Sequence, residues 1–424
     1  MQMHREQKQA KPRNGLVAAL DIGTTKVTCL IARQEGTRPP RIIGVGHHVS
    51  KGVHHGAIVD MDEAETVVRA AVGAAEEMAG ANVHDVWVAV SGAHFKSRLV
   101  AYDIGISGHE IGDQDLRKIL DASRLAGELP EDQEIVHSIP VGYSIDGNKG
   151  VRDPRGMFGD RLGVNLHVVT AGANALRNIE TCLHRCHLGI GGRVISPYAS
   201  AMSALVEDEM KLGVTLIDLG GGTTSIAVFF DGELVHADCV PVGGANVTND
   251  IARGLSTPVQ HAERMKTLYG NCMPSPSDDR EVIKVPLIGE EQTGETNTVP
   301  RSMLVGIIRP RMEETFELVR DRLNAAGFEK LSGPRVVLTG GASLLPGVRE
   351  MAGEVLNKAQ VRMAKPRYLE GMAEAASGPQ FSVCAGLISH ALESSGRIIG
   401  RAYQPKVQSA SRLGRIGQWF RDNF

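Results

Sequence analysis

Short apolar runs rich in valine, isoleucine and leucine alternate along the chain with stretches of helical periodicity, the pattern of an α/β protein. GLVAAL (15–20), KVTCLIAR (26–33) and RIIGVGHHVS (41–50) predict strands, and a helix follows over 62–79 with Asp62 as its N-cap. DVWVAV (85–90) opens a segment with a strand, a helix beginning in GDQDLRKILDASRL (112–125) and strands around EIVHSIPVGYSI (134–145). A Gly/Pro-rich loop, DGNKGVRDPRGMFGDRLG (146–163), closes that segment as a small α+β insert; VNLHVVTAG and a helix over 175–187 then resume the host. The second half repeats the plan. VTLIDLGGGTTSIAVFFDGELVHADCV (214–240) reads as a three-stranded meander, 270–300 as long loops, and PRVVLTGGASLLPGVREMAGEVL (334–356) as strand, Gly-Gly turn and helix.

One phrase occurs twice. ALDIGTTKVTCLI (19–31) and LIDLGGGTTSI (216–226) both run from an apolar strand through Asp, Gly and Thr-Thr into another apolar strand. Bare glycine lets backbone N–H groups approach phosphate oxygens closely, and Thr hydroxyls add donors. Asp21 and Asp218, ending the preceding strands, would repel phosphate directly but suit a hydrated Mg²⁺. Two such turns would grip one polyphosphate from both sides. Each turn alone reads equally as a Gly-rich hairpin with Asp and Thr as turn formers. A third element, LTGGASLLPG (338–347), sets Gly340 and Gly341 between strand and helix, where a purine fits flat against backbone. Neither a G-x-x-x-x-G-K-[ST] loop nor a G-x-G-x-x-G following a strand occurs.

Composition narrows the classes. The 424 residues are 42% hydrophobic, 22% charged and only 4% aromatic, ample for two or three domains. A net charge of −3 gives no global signal for nucleic acid, and no apolar run is long enough to span a membrane. The polar start, residues 1–14, reads as a disordered lead-in of a cytosolic protein. Six scattered cysteines form no framework. In CLHRCH (182–187), Cys182 and Cys186 share a helix face that His184 does not, so four ligands cannot converge on zinc. The histidine pairs of GHHVSKGVHHG (46–56) read as solvated loop residues.

DIGTTK, LIDLGGGTTSIAV and VVLTGGASLLPG resemble, in order, the two phosphate motifs and the adenosine motif of the actin/DnaK/sugar-kinase ATPases. The insert with DPRGMFGDRLGVNLHVVTA, together with VPVGGANVTNDIARGL (240–255) and GIIRPRMEETFELV (306–319), is similar to the FtsA family of bacterial cell-division proteins. That resemblance implies an actin-like ATPase fold, two related halves around a nucleotide cleft, with a small α+β domain inserted in the first half. It divides the chain into domain 1A over 15–84, 166–212 and 380–396, and the insert (1C) over 85–165. Domain 2A takes 213–260 and 331–379, and domain 2B 261–330.

The resemblance also implies ATP and Mg²⁺ as ligands. It puts Gly23, Thr24, Thr25 and Lys26 at the phosphates, with Gly220, Gly221, Gly222, Thr223 and Thr224 opposite, and Asp21 and Asp218 on water-coordinated Mg²⁺. Gly340, Gly341 and Ala342 would back the adenine. Gly243 and Gly244 would lie beside the nucleotide, or simply form a strand-to-helix corner. Glu263 and Lys266 would lie near the ribose, or form an exposed i,i+3 ion pair. Relatives that hydrolyse ATP readily carry Glu or Gln where ISPYASAM places Ser196, so slow turnover is expected.

A linker over 397–410 leads to SRLGRIGQWFRDNF (411–424). On a helical wheel Leu413, Ile416, Trp419, Phe420 and Phe424 fall within about 140°, with Arg415 and Arg421 outside that arc. Gly414 and Gly417 weaken the helix in water. This suits an interfacial membrane peptide, though a terminal helix docking on its own protein has the same pattern; the resemblance implies the former. It further implies filaments on the inner face of the cytoplasmic membrane at the septum, tethering the tubulin-like FtsZ ring and recruiting other division proteins. The C-terminal peptide of FtsZ would bind within 260–330, where Arg309 and Arg311 offer partners for acidic groups or form internal salt bridges. A pilus-assembly actin-like ATPase, a small-molecule kinase and a chaperone-like ATPase share the cleft; the first two leave the terminal peptide unexplained, and the third would carry a separate β-rich substrate domain for which the tail is far too short.

Overall fold

The computed structural model describes residues 15–35, 39–92, 95–121, 129–289, 296–328 and 335–398. The predicted lead-in and terminal peptide lie outside the described residues.

The first half opens with β1 (Leu16–Ile22), β2 (Lys26–Arg33) and β3 (Arg41–Val49), an antiparallel meander. A two-stranded hairpin follows, β4 (Val53–His54) and β5 (Ala57–Ile58). Helix α1 (Met61–Ala79) then buries Ala64, Val67, Val68, Ala71, Val72 and Ala75 at three- and four-residue spacing against the sheet. Its cap is Asp60 rather than the predicted Asp62. Asp60 has extended backbone and accepts from the N–H groups of Asp62 and Glu63, whereas Asp62 sits in the first turn and pairs with Arg185 at 2.8 Å.

β6 (Asp85–Val90) pairs in parallel with β1, and so belongs to the first sheet rather than to the insert. The insert proper comprises β7 (Phe95–Gly105), helix α2 (Asp113–Ile119), β8 (Gln133–Ile145), β9 (Asn148–Val151) and β10 (Arg161–Gly172). Its four strands form one antiparallel sheet in the order β7-β10-β8-β9. The predicted helix over 112–125 is described only as far as Ile119, with 122–128 outside the described residues. Strand β10 extends to Gly172, past the expected boundary at 165.

Helix α3 (Ala173–Arg185), β11 (Gly189–Ile195), α4 (Ser196–Ala204) and α5 (Glu207–Leu212) complete the first half. The second contains β12 (Val214–Leu219), β13 (Thr224–Phe230), β14 (Glu233–Val240), α6 (Gly244–Gly254) and α7 (Val259–Tyr269). After these come the hairpin β15 (Val282–Pro286) and β16 (Thr296–Pro300), α8 (Arg301–Ala325), β17 (Arg335–Thr339), α9 (Val348–Val355), β18 (Gln360–Met363) and α10 (Ser382–Ile398). Gly341–Leu344 forms a 3₁₀ turn before α9, because Pro346 holds Leu345 extended and delays the predicted helix.

The internal repeat is topological. The first sheet runs β3-β2-β1-β6-β11 and the second β14-β13-β12-β17-β18, each an antiparallel meander followed by two parallel strands. Apolar clusters cover both faces of each sheet, which explains why β1 and β12 read as near-continuous apolar runs instead of alternating. Helices α1 and α3 cover one face of the first sheet and α10 the other. Helices α6 to α9 cover one face of the second, while α4 and the insert cover its opposite face.

Candidate functional site

The duplicated turns have the same internal geometry. Gly23 N–H donates to Lys26 O at 3.0 Å, and Gly220 N–H to Thr223 O at 2.9 Å. They face each other across a cavity of about 780 Å³ bounded by both halves. The turns almost touch at Gly221 and Gly222, while a Cβ on Gly220 would stand 2.8 Å from Thr223 O of its own turn. A Cβ on Gly222 would stand 2.5 Å from Thr24 Oγ1, and one on Gly221 would be 2.7 Å from Thr25 Oγ1 and collide with its methyl group. Bare backbone of the second turn here faces the Thr24 and Thr25 side chains of the first, and such glycine-rich turns can present N–H groups to an anion.

Three ionisable groups converge at the cavity floor. Removal from water pushes the Asp21 carboxyl up to about 7, against the opposing pull of Lys26. Asp218 rises to about 6 for the same reason, moderated by a hydrogen bond from Ser200 Oγ. Burial lowers Lys26 to about 8. Among the described residues its Nζ has no hydrogen-bond partner, and it lies 3.5 Å from the centroid of the Phe381 ring, a cation–π contact. A buried ammonium beside two carboxyls whose charge is disfavoured by burial fits a ligand bearing both anionic oxygens and a cation.

This has a pH consequence for the nucleotide-free protein. Asp21 binds its proton more tightly folded (about 7) than at the ordinary value of 3.8. The stability it contributes is therefore full below pH about 4 and is lost as pH rises through 7. Relative to Asp21→Asn, the wild type should lose on the order of 1–2 kcal/mol between pH 4.5 and 7.5, after allowance for water in the cavity. Denaturant melts of both proteins at the two pH values check this; a constant difference contradicts it.

The far end of the cleft is built from glycine corners. Gly340, with φ +87, lies so close to Asp218 and Leu219 that a Cβ would stand 2.5 Å from Leu219 O. Gly341 and Ala342 line the cavity beside it. Gly244 N–H donates to Gly220 O at 2.9 Å, tying the start of α6 to the second turn. Lys266 Nζ bonds Gly244 O (3.0 Å), Thr248 Oγ1 (2.8 Å) and Glu263 Oε2 (2.7 Å), so the Glu263–Lys266 pair is part of a network that fixes this corner. Ser196 begins α4 and lines the cavity, its Oγ 3.5 Å from Ser225 Oγ.

A cell division protein FtsA from Rhizobium meliloti is 44% identical over 97% of this chain and 96% of its own length. The chain belongs to the FtsA family. Residues 215–386 match the model of the family described as Cell division protein FtsA, and 92–170 that of the SHS2 domain inserted in FTSA. The latter range agrees with an insert that begins after β6. Among solved structures, the PilM–PilN type IV pilus biogenesis complex has a TM-score of 0.63 at 17% identity, covering 91% of this chain and 99% of that one. MreB5 of Spiroplasma citri bound to ADP has 0.55 at 14%, covering 92% and 100%. These likenesses give the actin-like fold; family membership makes the protein an actin-like cell-division protein.

Within this FtsA-family chain, most of the expected residues converge and some do not. Gly23 to Lys26, Gly220 to Thr223, Gly244, Glu263, Lys266 and Gly340 to Ala342 all line the one cavity, as do Asp21 and Asp218. Thr224 does not; it is fully buried and its hydroxyl donates to Val242 O at 2.8 Å. Gly243 is also behind the wall, where a Cβ would stand 2.6 Å from Gly221 O. Arg311 is an internal salt-bridge residue, 2.5 Å from Asp250 and also paired with Glu314. The membrane residues Leu413 to Phe424 lie outside the described residues. His55, expected as a solvated loop residue, instead contacts the second turn: its Nδ1 lies 2.6 Å from Gly222 O. The HHG sequence was the available signal, since a two-residue hairpin turn closing on glycine puts His55 at its tip with positive φ.

Proposed function

We propose that this protein binds ATP with Mg²⁺ in the cleft, polymerises on the inner face of the cytoplasmic membrane at the septum, and tethers the FtsZ ring there. The carrying observation is the pair of Gly-Thr turns closed by the same hydrogen bond, one from each half, facing each other beside a Lys26 ammonium that has no hydrogen-bond partner among the described residues. Gly23, Thr24, Thr25 and Lys26 hold the phosphates from one side, and Gly220 to Thr223 from the other. Asp21 and Asp218 hold the metal through water; the ion, when bound, offsets the polyphosphate charge. Gly340, Gly341 and Ala342 back the adenine, with Lys266 and Glu263 toward the ribose. The 261–330 region receives the FtsZ C-terminal peptide, with Arg309 toward its acidic groups; Arg311 is already engaged by Asp250 and Glu314. Residues 411–424 form the amphipathic anchor on anionic lipid. Equilibrium dialysis of wild type against ATP, with and without Mg²⁺, tests the reading: saturable, Mg²⁺-enhanced binding is expected, and no binding removes it.

Turnover should be slow. The cavity position where relatives orient water with a carboxylate or amide holds Ser196, a short hydroxyl next to Ser225. A steady-state rate well below about 1 per second is expected, under the ordinary enzyme range. Faster phosphate release would contradict the assignment of the cleft as an assembly switch.

A further inference from the structure

The β4–β5 hairpin turns through His55 and Gly56, at φ +47 and +76. Two positive φ values make this a primed turn. For histidine that conformation carries strain of order 1 kcal/mol, which the surroundings must hold in place. They hold it from three sides. His55 Nδ1 is 2.6 Å from Gly222 O; a carbonyl only accepts, so Nδ1 carries the proton and donates. Gly56 N–H donates to Thr24 Oγ1 at 3.1 Å. Behind the turn, a Cβ on Gly56 would stand 2.7 Å from Gly92 N, and one on Gly92 would stand 2.9 Å from His55 O.

Ser91 and Gly92 are the stem that leads from β6 into the insert, and Ser91 and Gly56 both line the cavity. The insert is covalently part of the first half yet rests on the second. Ser97 Oγ on β7 lies 2.6 Å from His167 Nε2 and accepts from Ala237 N–H of β14 at 3.1 Å. Arg152 pairs with Asp231 at 2.5 Å, and Phe95, Val169 and Ala171 share a core with Phe229 and Leu234 of the second sheet. Any shift of the second turn relative to the first half therefore acts on the insert at its stem as well as at its seat.

We propose that His55 is a positioning residue that couples the second phosphate turn to the stem of the inserted domain, so that nucleotide in the cleft sets the position of the insert. The inference rests on the nucleotide reading given above. Hydrogen exchange at Ser91, Gly92 and the first residues of β7 is measured in the full chain, with and without Mg²⁺ and ATP, for wild type, His55→Ala and His55→Asn. ATP affinity is determined on the same samples. ATP should slow exchange at the stem about fivefold in wild type. His55→Ala should bind ATP within about threefold of wild type while its stem ceases to respond. His55→Asn, which tolerates positive φ and keeps a side-chain N–H donor, should restore the response; a simple packing role would not be rescued this way. A wild-type response in His55→Ala, no response in ATP-bound wild type, or loss of ATP binding in His55→Ala would each overturn the coupling. Failure of wild type to bind ATP would instead remove the nucleotide reading, and this inference with it.

Discussion

Replacing Gly221 by valine is expected to lower ATP affinity at least about 100-fold while leaving the protein folded. The side chain would meet Thr25 directly, 2.7 Å from its Oγ1 already at Cβ, and would force the two turns apart. It would also occupy the space through which backbone N–H groups approach phosphate. Hydrogen bonds to charged groups contribute about 1.5–3 kcal/mol each; losing two costs roughly 3–6 kcal/mol, which is 100-fold or more. The fold should survive, because Gly221 is on the cavity wall and Thr25 is exposed at the opposite rim. Binding by dialysis and a thermal melt within a few degrees of wild type check both statements. Undiminished affinity in the folded variant removes the phosphate assignment.

Trp419→Glu should release the protein from anionic vesicles by at least about tenfold without altering ATP affinity. Fully burying Trp, Leu, Ile and Phe side chains yields roughly 1.5–3 kcal/mol each. Interfacial insertion is partial, and each glycine in the helix costs about 1 kcal/mol relative to alanine. Over residues 401–424, Arg401, Lys406, Arg412, Arg415 and Arg421 stand against Asp422, and each basic residue near the surface adds about 1 kcal/mol. The sum is a reversible anchor for one molecule. A filament presents many tails together and gains avidity without new contacts. An assembly-blocked variant with an intact tail should therefore sediment more weakly with vesicles than wild type. Equal sedimentation would mean that the tail alone is the anchor.

Much of the cleft was legible because both turns are short, glycine-rich and bounded by buried strands, so sequence dictates local geometry almost completely. The antiparallel meander that opens each sheet was legible from the same repeat. The misses have physical causes. Strand alternation places Thr223 and Ser225 toward the cavity and Thr224 away from it, so a period-two reading would have excluded Thr224. Asp60 and Asp62 are equivalent as caps by composition, and only the extended backbone at Asp60 separates them. β6 is apolar enough for either sheet; its parallel pairing with β1 and β11 is a long-range choice that no local pattern encodes. The contact of His55 with Gly222 joins residues far apart in sequence, and the interlock of Arg311 with Asp250 joins one helix to another.

On the function proposed above, the cleft and the terminal peptide together attach FtsZ to a membrane. The most direct test is sedimentation of purified FtsZ with anionic vesicles in the presence of ATP, Mg²⁺ and either the full chain or residues 1–410. FtsZ should pellet with the full chain and stay in solution with the truncated one. FtsZ left in solution by the full chain, or carried down equally by residues 1–410, would contradict the account.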